Sequence, residues 1–216
     1  MRKLFLIGGG GFASEVLFVI ERLNSSERKW SDIFIVDDNI NSGTKIREYE
    51  VVGDLSSLYL IKEDIDVVIT INNTLIRKKI VEKIKQIRKD GSTFFPNIID
   101  SSSLLDSKYL KIGDGNIIMH FVVLSTNLNI GSFNIFNSYT GIGHDSTMGD
   151  FNTFNPRVAI SGNVNMKDLN SFGVNATVLQ NKNIGSLNEI WMNTTIVKNL
   201  KDDGKYFGIP AKKIDI

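Results

Sequence analysis

From Ile112 onward every sixth residue is apolar: Ile112, Ile118, Leu124, Ile130, Phe136, Ile142, Met148, Phe154, Ile160, Met166, Phe172, Val178, Ile184, Ile190 and Ile196. Hydrophobic residues make up 42% of the 216-residue chain, so chance yields such a run in a given register only about twice in a million, and the repeat is real. A hexad with one obligatory apolar position describes one face of a β-helix coil. Three hexads close a triangular coil, so equivalent positions recur every eighteen residues and the apolar side chains stack inside the prism, each coil burying its neighbour. The hexapeptide type winds left-handed, an exception to the right-handed crossover rule. About five coils span residues 112–199, and Leu104 and Leu110 suggest a leading coil two residues out of register. Glycine often follows the apolar residue, as at Gly113, Gly131, Gly143, Gly149, Gly173 and Gly185. There it suits a corner that needs unusual backbone angles.

The first 96 residues follow a different rule. Leu4–Ile7 is a short apolar run fit for a buried parallel strand. Ala13–Leu23 has helical spacing at Val16, Val19, Ile20 and Leu23. Further strands are expected at Ile33–Val36, Asp66–Ile71 and Thr93–Phe95. A helix is expected over Thr74–Lys89, with Ile76, Ile80, Ile84 and Ile87 on one face, lysines and arginines outward, and Gly91 as its stop. The expected organisation is an α/β plus all-β chain. A small Rossmann-like parallel α/β domain (1–96) precedes a left-handed parallel β-helix (97–199) and a short C-terminal tail or cap (200–216).

Composition narrows the chemistry. The formal net charge is +1, which gives no electrostatic case for nucleic acid or an anionic membrane. The absence of cysteine excludes disulfides and thiolate metal sites and fits a reducing compartment. The apolar part of MRKLFLIGGGG is too short for a signal peptide, and no run approaches a membrane span. A cytoplasmic protein is the expectation.

In the first domain, GGGGFASEV joins the first strand to the first helix, and Gly8, Gly10 and Ala13 meet the G-x-G-x-x-G/A spacing. Glycines let backbone approach a phosphate, and a helix N-terminus favours negative charge. Asp37 and Asp38 end the second strand, where acids hold ribose or base donors. A domain this short lacks the two halves of a dinucleotide fold, so a mononucleotide or nucleotide-sugar is the better fit than NAD. A glycine turn that merely packs helix on sheet is the competing reading.

In the repeat, TGIGHDSTMGD carries one of only two histidines, His144. It lies two residues past the inward Ile142 and should project outward at a corner, where Asp145 can orient the ring if the backbone bends. Histidine is the side chain suited to general-base work near neutrality. One coil on, the N–H of Gly162 can face the same space and hold a developing oxyanion. Together these form a plausible acyl-transfer site. A solvated corner histidine is the bland alternative. His120, in the same hexad phase but without the glycine and acid, reads as a surface or contact residue. Two histidines cannot supply a three-histidine zinc site, and no metal is expected. Asn127, Asn129, Asn134, Asn137, Asn152 and Asn155 read as turn and ladder residues rather than ligands. The tail KDDGKYFGIPAKKI leaves the repeat, and Lys205, Lys212 and Lys213 make it either a structural cap or a contact for an anionic cofactor.

The order GGGGFASEV, VDD, INNTLIRKKI, IGHDSTMGDF, SGNV and GIPAKKI resembles the left-handed β-helix, hexapeptide-repeat sugar acyltransferases. In particular it is similar to the bacterial nucleotide-4-amino-sugar N-acetyltransferases and the sialic acid O-acetyltransferase-like group. The resemblance covers nearly the whole chain. It implies a homotrimer with active sites between subunits, acetyl-CoA as co-substrate in the groove between neighbouring β-helices, and a nucleotide-linked amino sugar docked on the N-terminal domain. It implies acetyl transfer to the C4 amine of a 4-amino-4,6-dideoxy sugar for cell-surface glycan (O-antigen) synthesis. His144 matches the catalytic base, Asp145 the neighbouring acid and Gly162 the backbone donor at the thioester. Pro210, Ala211 and Lys212 match the tail near CoA. Gly10, Gly11, Phe12, Asp37, Asp38, Asn72 and Asn73 match the nucleotide-sugar side. The sequence departs from the pattern at Phe12, Asp100 and Thr153, where many relatives carry histidine. A sugar O-acetyltransferase and a non-catalytic nucleotide-sugar-binding trimer remain the alternatives, with a metal hydrolase further off.

Overall fold

The structure is a computed structural model describing residues 1–89 and 91–214. The chain forms two compact units, Met1–Ile98 and Ile99–Ile216. Among the described residues no helix is long and apolar enough to cross a membrane.

The first unit is a six-stranded sheet flanked by helices. Its elements are β1 (Arg2–Ile7), α1 (Gly11–Glu27), β2 (Trp30–Val36), β3 (Lys45–Ile46), β4 (Tyr49–Gly53), β5 (Ile65–Ile69), α2 (Thr74–Ile87) and β6 (Thr93–Phe94). The strand order is β3-β4-β2-β1-β5-β6, parallel except for the β3–β4 hairpin. Leu4, Leu6, Ile35, Ile65 and Val67 are fully buried, as expected of strands covered on both faces. Helix α1 buries Ala13, Val16, Leu17, Val19 and Ile20. The hairpin over residues 45–53 was not anticipated, because KIREYEVVG is charged and too short to show periodicity.

Helix α2 differs from the expected pattern. Its buried residues are Arg77, Val81 and Ile84, while Ile76 is 49% exposed. The expected outward-facing arginine at 77 is 1% exposed. Its guanidinium turns back beneath the start of the helix and donates to the carbonyls of Ile71 at 2.7 Å and Asn72 at 3.0 Å. Those carbonyls draw the cation inward and leave Ile76 and Ile80 at the helix margin, where they line a cavity.

The second unit is a three-sided parallel β-helix. One sheet runs through Ile117–Ile118, Ile135–Phe136, Thr153–Phe154, Ser171–Phe172 and Glu189–Ile190. A second runs through Val123–Leu124, Gly141–Ile142, Ala159–Ile160, Thr177–Val178 and Thr195–Ile196. The third runs through Leu128–Ile130, Thr147–Met148, Asn165–Met166 and Asn183–Ile184. Partners lie eighteen residues apart, as in Gly141↔Ala159 and Phe136↔Phe154. The hexad residues fill the prism, and Phe136, Phe154 and Phe172 stack at 4.9 and 5.2 Å. The leading coil corrects the sequence reading: Leu105, not Leu104, aligns with Leu124. Leu104 is 68% exposed. The slip is one residue, absorbed in the turn where Tyr109 N–H donates to Asp106.

Each corner places a residue in the left-handed region. From Phe121 through Asp145 to Asn193 every sixth residue has φ between 55° and 63°. These are not the glycines that follow the apolar positions. Gly143, Gly149 and Gly173 have ordinary angles and are required instead by close approach. A β-carbon at Gly143 would stand 2.5 Å from the amide nitrogen of Gly162, and one at Gly173 would stand 2.5 Å from that of Met192. The corner strain is offset by hydrogen bonds between coils, such as Asp145 N–H to Thr126 and Asn163 N–H to His144.

Inside another corner runs a buried ladder of Asn116, Asn134, Asn152, Asn170 and Asn188, none exposed. The Oδ1 of Asn152 accepts the backbone N–H of Asn170 at 2.9 Å and its Nδ2 at 3.0 Å. Asn152→Leu strands both donors, and each buried unsatisfied group costs about 1–3 kcal/mol. Denaturant unfolding of the variant is expected to show a loss of about 3 kcal/mol, whereas an unchanged midpoint would mean that water replaces the ladder.

Candidate active site

His144 sits at the corner between the second and third sheets, immediately after the strand Gly141–Ile142. Its side chain is 62% exposed. Asp145 occupies the left-handed corner with φ 58°, which turns its side chain back alongside its neighbour. Its Oδ2 lies 2.7 Å from Nδ1 of His144. The other oxygen, Oδ1, accepts from Nδ2 of Asn127, one coil earlier. The Asn127 hydrogen bond first, and then the His144 hydrogen bond, hold the Asp145 carboxyl below its ordinary range, so it is a carboxylate at working pH. A carboxylate only accepts, so in the neutral ring the proton sits on Nδ1 of His144 and Nε2 is the nitrogen left to accept.

Gly162 lies against the imidazole: a β-carbon there would stand 2.7 Å from both Cε1 and Nε2 of His144. The comparison with the next corner of the prism is informative. There Asp150 and Asp168 fold over the coil below and accept the N–H groups of Ser132 and Asp150 at 2.7 and 2.8 Å. Glycine at 162 supplies no such cap. It leaves room for the His144 ring to lie against the backbone of the next coil. The structure thus brings together the three residues that the sequence grouped, His144, Asp145 and Gly162, and adds Asn127.

The outer positions of the second sheet, Gly141, Ala159, Thr177 and Thr195, are small and uncharged. They form a smooth track from His144's coil to the tail. The tail strand Lys205–Phe207 extends the first sheet, and Lys212–Lys213 pairs back on it. Ala211 N–H donates to Thr195 at 2.9 Å. Pro210 follows a cis peptide bond, and Lys212 is exposed. Three inter-strand steps separate Gly141 from Thr195, a rise of about 14 Å. Val174, Leu179, Met192 and Val197 are also exposed, which leaves apolar side chains open near that end of the sheet.

In the first unit the four glycines have different tasks. Gly8 turns the chain with φ 103°, and Gly9 lies under Ile40 and Ile46, whose methyls would stand 2.7 and 2.6 Å from a β-carbon there. Neither is spare for a phosphate. Around Gly10 and Gly11 a β-carbon would meet nothing within 4 Å. Helix α1 begins at Gly11 with no side-chain cap and no acid in its first turn, and Phe12 is half-buried there. These N–H groups suit an anion.

Asp37 commits both oxygens internally, accepting Gly9 N–H at 2.7 Å and Asn39 N–H at 2.8 Å. Asp38 accepts Leu55 N–H with one oxygen only. Asn73 caps α2, accepting Ile76 N–H at 3.0 Å, and Asn72 offers its carbonyl to Arg77. Burial pushes Arg77 down to about 9, so it remains a cation at neutral pH. Arg77 and Thr70, whose hydroxyl donates to Gly8 at 2.7 Å, fix the turns around this site. Sequence reasoning missed both, since neither bears a signal beyond its place beside the INN and glycine segments.

The positions that depart from the family pattern are built into the fold. Asp100, 1% exposed, accepts Ser102 N–H and its hydroxyl, and Thr153 is 1% exposed. The structure also sets Ser138 Oγ 2.9 Å from His120 Nε2, a pair that sequence reasoning did not find. Ser138 is 8% exposed, and its hydroxyl is shared with Asn137. Among the described residues no group of three or more histidines and acids stands together as a metal site.

Residues 3–84 match the family model of the PglD N-terminal domain. Among curated proteins none matches this sequence. The acetyltransferase domain of PglB from Neisseria gonorrhoeae, solved with acetyl coenzyme A, superposes with a TM-score of 0.89 at 23% identity, covering 99% of each chain. A variant of perosamine N-acetyltransferase from Caulobacter crescentus, solved with CoA and GDP-perosamine, gives 0.88 at 23% identity, covering 100% of this chain and 98% of that one. WeeI from Acinetobacter baumannii gives 0.87 at 23% identity, covering 99% and 100%. The resemblance read in the sequence therefore extends over the full length of the fold.

Proposed function

We propose that this protein transfers the acetyl group of acetyl-CoA to the C4 amine of a nucleotide-linked 4-amino-4,6-dideoxy sugar, a step in cell-surface glycan synthesis. The observation that carries the reading is the His144 corner. An imidazole whose Nδ1 is held by a carboxylate presents Nε2 against Gly162, a residue with no side chain to close the space beside the ring. The uncharged track toward the tail supports a long thioester carrier. The open Gly10–Gly11 turn supports a diphosphate. Structures of the same fold hold acetyl coenzyme A in one case, and CoA with GDP-perosamine in another. The reading includes a homotrimer, since the exposed His144 leaves room for a neighbouring subunit to complete the site's wall.

The amine lone pair attacks the thioester carbon while Nε2 of His144 takes the amine proton. Negative charge gathers on the carbonyl oxygen, where Gly162 N–H donates to it. The intermediate collapses, the C–S bond breaks, and the thiolate takes the proton from His144 and leaves as free CoA. The positive charge that His144 carries between these steps is matched by Asp145. In this reading transfer is direct: the amine attacks the thioester itself, and the chain has no cysteine to carry the acyl group.

The test is continuous detection of thiol release from acetyl-CoA with UDP-, dTDP- and GDP-linked 4-amino sugars and the matching hydroxyl sugars. Release with an amino sugar is expected. Release with hydroxyl sugars alone would make the protein an O-acetyltransferase, and no release together with no acetyl-CoA binding would end the enzyme reading.

A further inference from the structure

In water a neutral histidine side chain carries its proton mainly on Nε2. In a protein the choice of nitrogen is set by the hydrogen bond the other one makes. A base that accepts through Nε2 therefore needs its Nδ1 proton held by a fixed acceptor. At His144 that acceptor is Asp145, whose Oδ2 lies 2.7 Å from Nδ1. The Asp145 side chain is itself 51% exposed. An exposed pair of this kind gains little alone, since water competes for both partners.

The second oxygen supplies the missing restraint. Oδ1 accepts from Nδ2 of Asn127, eighteen residues earlier in the same corner. Asn127 and Asp145 both stand in the left-handed region, at φ 57° and 58°, so their side chains leave corresponding points of successive coils. The backbone between them is tied by Asp145 N–H, which donates to the Thr126 carbonyl at 3.2 Å. From the other side Asn163 does not take the carboxylate. Its amide donates onward to Asn181 at 2.6 Å, and its backbone N–H donates to the His144 carbonyl at 2.8 Å. Oδ2 is left to the imidazole. With both oxygens engaged, the carboxylate cannot rotate without breaking a bond. The chemistry of the donor fits as well. A lysine or arginine at 127 would hold Asp145 and cancel the charge that the imidazolium needs. An amide donates and leaves that charge in place.

We propose that Asn127 is a positioning residue of the His144 corner: it fixes the Asp145 carboxylate, and through it keeps the proton of the neutral imidazole on Nδ1 and Nε2 open to accept. This deepens the acetyl-transfer reading above and rests on it for the identity of the amine, whereas the tautomer is read without any substrate.

The chain contains two histidines, so nitrogen NMR of the full chain carrying isotope-labelled histidine gives few ring signals, and His144→Ala identifies those of residue 144. Spectra are taken at about pH 9, where an imidazole is neutral. Asn127→Leu removes the donor and adds no charge, and leucine already fills the same left-handed position at Leu169 and Leu187. Asn127→Asp keeps the shape and, ionised, has no proton to give. The wild type is expected to hold the Nδ1–H form. Both variants are expected to shift toward the Nε2–H form and to lose roughly three- to ten-fold in turnover, the range of one net hydrogen bond, with the KM for acetyl-CoA and the melting temperature unchanged. An Nε2–H wild type, or an Nδ1–H signal unchanged in both variants, would overturn the assignment. So would a loss of turnover that follows a lowered melting temperature with the tautomer intact, the mark of a structural asparagine. A tautomer that shifts in the variants of a protein inert toward every acetyl acceptor would uphold the clamp and remove the acetyl-transfer reading instead.

Discussion

A His144→Ala protein is expected to keep its melting temperature and its affinity for acetyl-CoA while losing about 10²- to 10⁴-fold in turnover, the range that a positioned general base contributes. The separation of effects follows from where the side chain stands. His144 is 62% exposed and its side-chain partner Asp145 is also exposed, so its removal takes nothing from the prism core. Surface changes of that kind stay within about ±0.5 kcal/mol of stability. The Gly162 N–H and the bound geometry remain, which is why a residual rate should persist rather than vanish. Melting temperature, acetyl-CoA binding and thiol release on one preparation suffice. Turnover equal to wild type would remove His144 from the mechanism, and a collapse of the melting temperature would show that the corner is structural.

The β-helix was legible because one rule repeats. Each coil must place an apolar residue at the same point, and fifteen chances to violate it passed without exception from Ile112 to Ile196. The corners were not legible. The left-handed position is filled by Phe121, Tyr139, Arg157 and Leu169 as readily as by Asn163 or Asp145, because hydrogen bonds from the neighbouring coil over-determine it and local preference cannot vote. The glycines were visible but their reason was misread: close approach between coils is a property of the stack, invisible in one hexad. In the first unit the long strands and helices were readable from burial on both faces, whereas the charged hairpin of residues 45–53 was not. Arg77 was assigned to an outward basic face because a chain of letters cannot show that two carbonyls, those of Ile71 and Asn72, lie within its reach. At the candidate site, His144 and Asp145 were found by adjacency and Gly162 by the eighteen-residue step. Asn127 sits one such step before Asp145 and was readable by the same arithmetic, but as an asparagine among many it carried no chemical signal.

Gly162→Ala is the substitution in which a single methyl group should cost the most. The backbone tolerates alanine, since Gly162 does not lie in the left-handed region. The added β-carbon meets Cε1 and Nε2 of His144 at 2.7 Å and Cδ2 at 3.1 Å, well inside the contact distance of about 3.5–4.0 Å between carbon atoms. The exposed ring is the softer partner and must swing away. Its movement stretches the 2.7 Å bond from Nδ1 to Asp145 and carries Nε2 away from the amine proton it has to take. The methyl also crowds the space beside the ring, where the proposed mechanism places the oxyanion. Loss of one oxyanion donor alone costs about 10²–10³ in turnover, so a loss of about 10³ or more is expected when the base is displaced as well. The natural control lies one rung lower: Gly143→Ala strikes the backbone at Gly162 N and Ser161 C at 2.5 Å, where nothing can swing aside, and should therefore destabilise the coil. Gly162→Ala should instead unfold like the wild type and fail only in catalysis. An active Gly162→Ala enzyme would mean that the acyl group approaches His144 from the other side of the ring, and the role of the 162 amide would have to be abandoned.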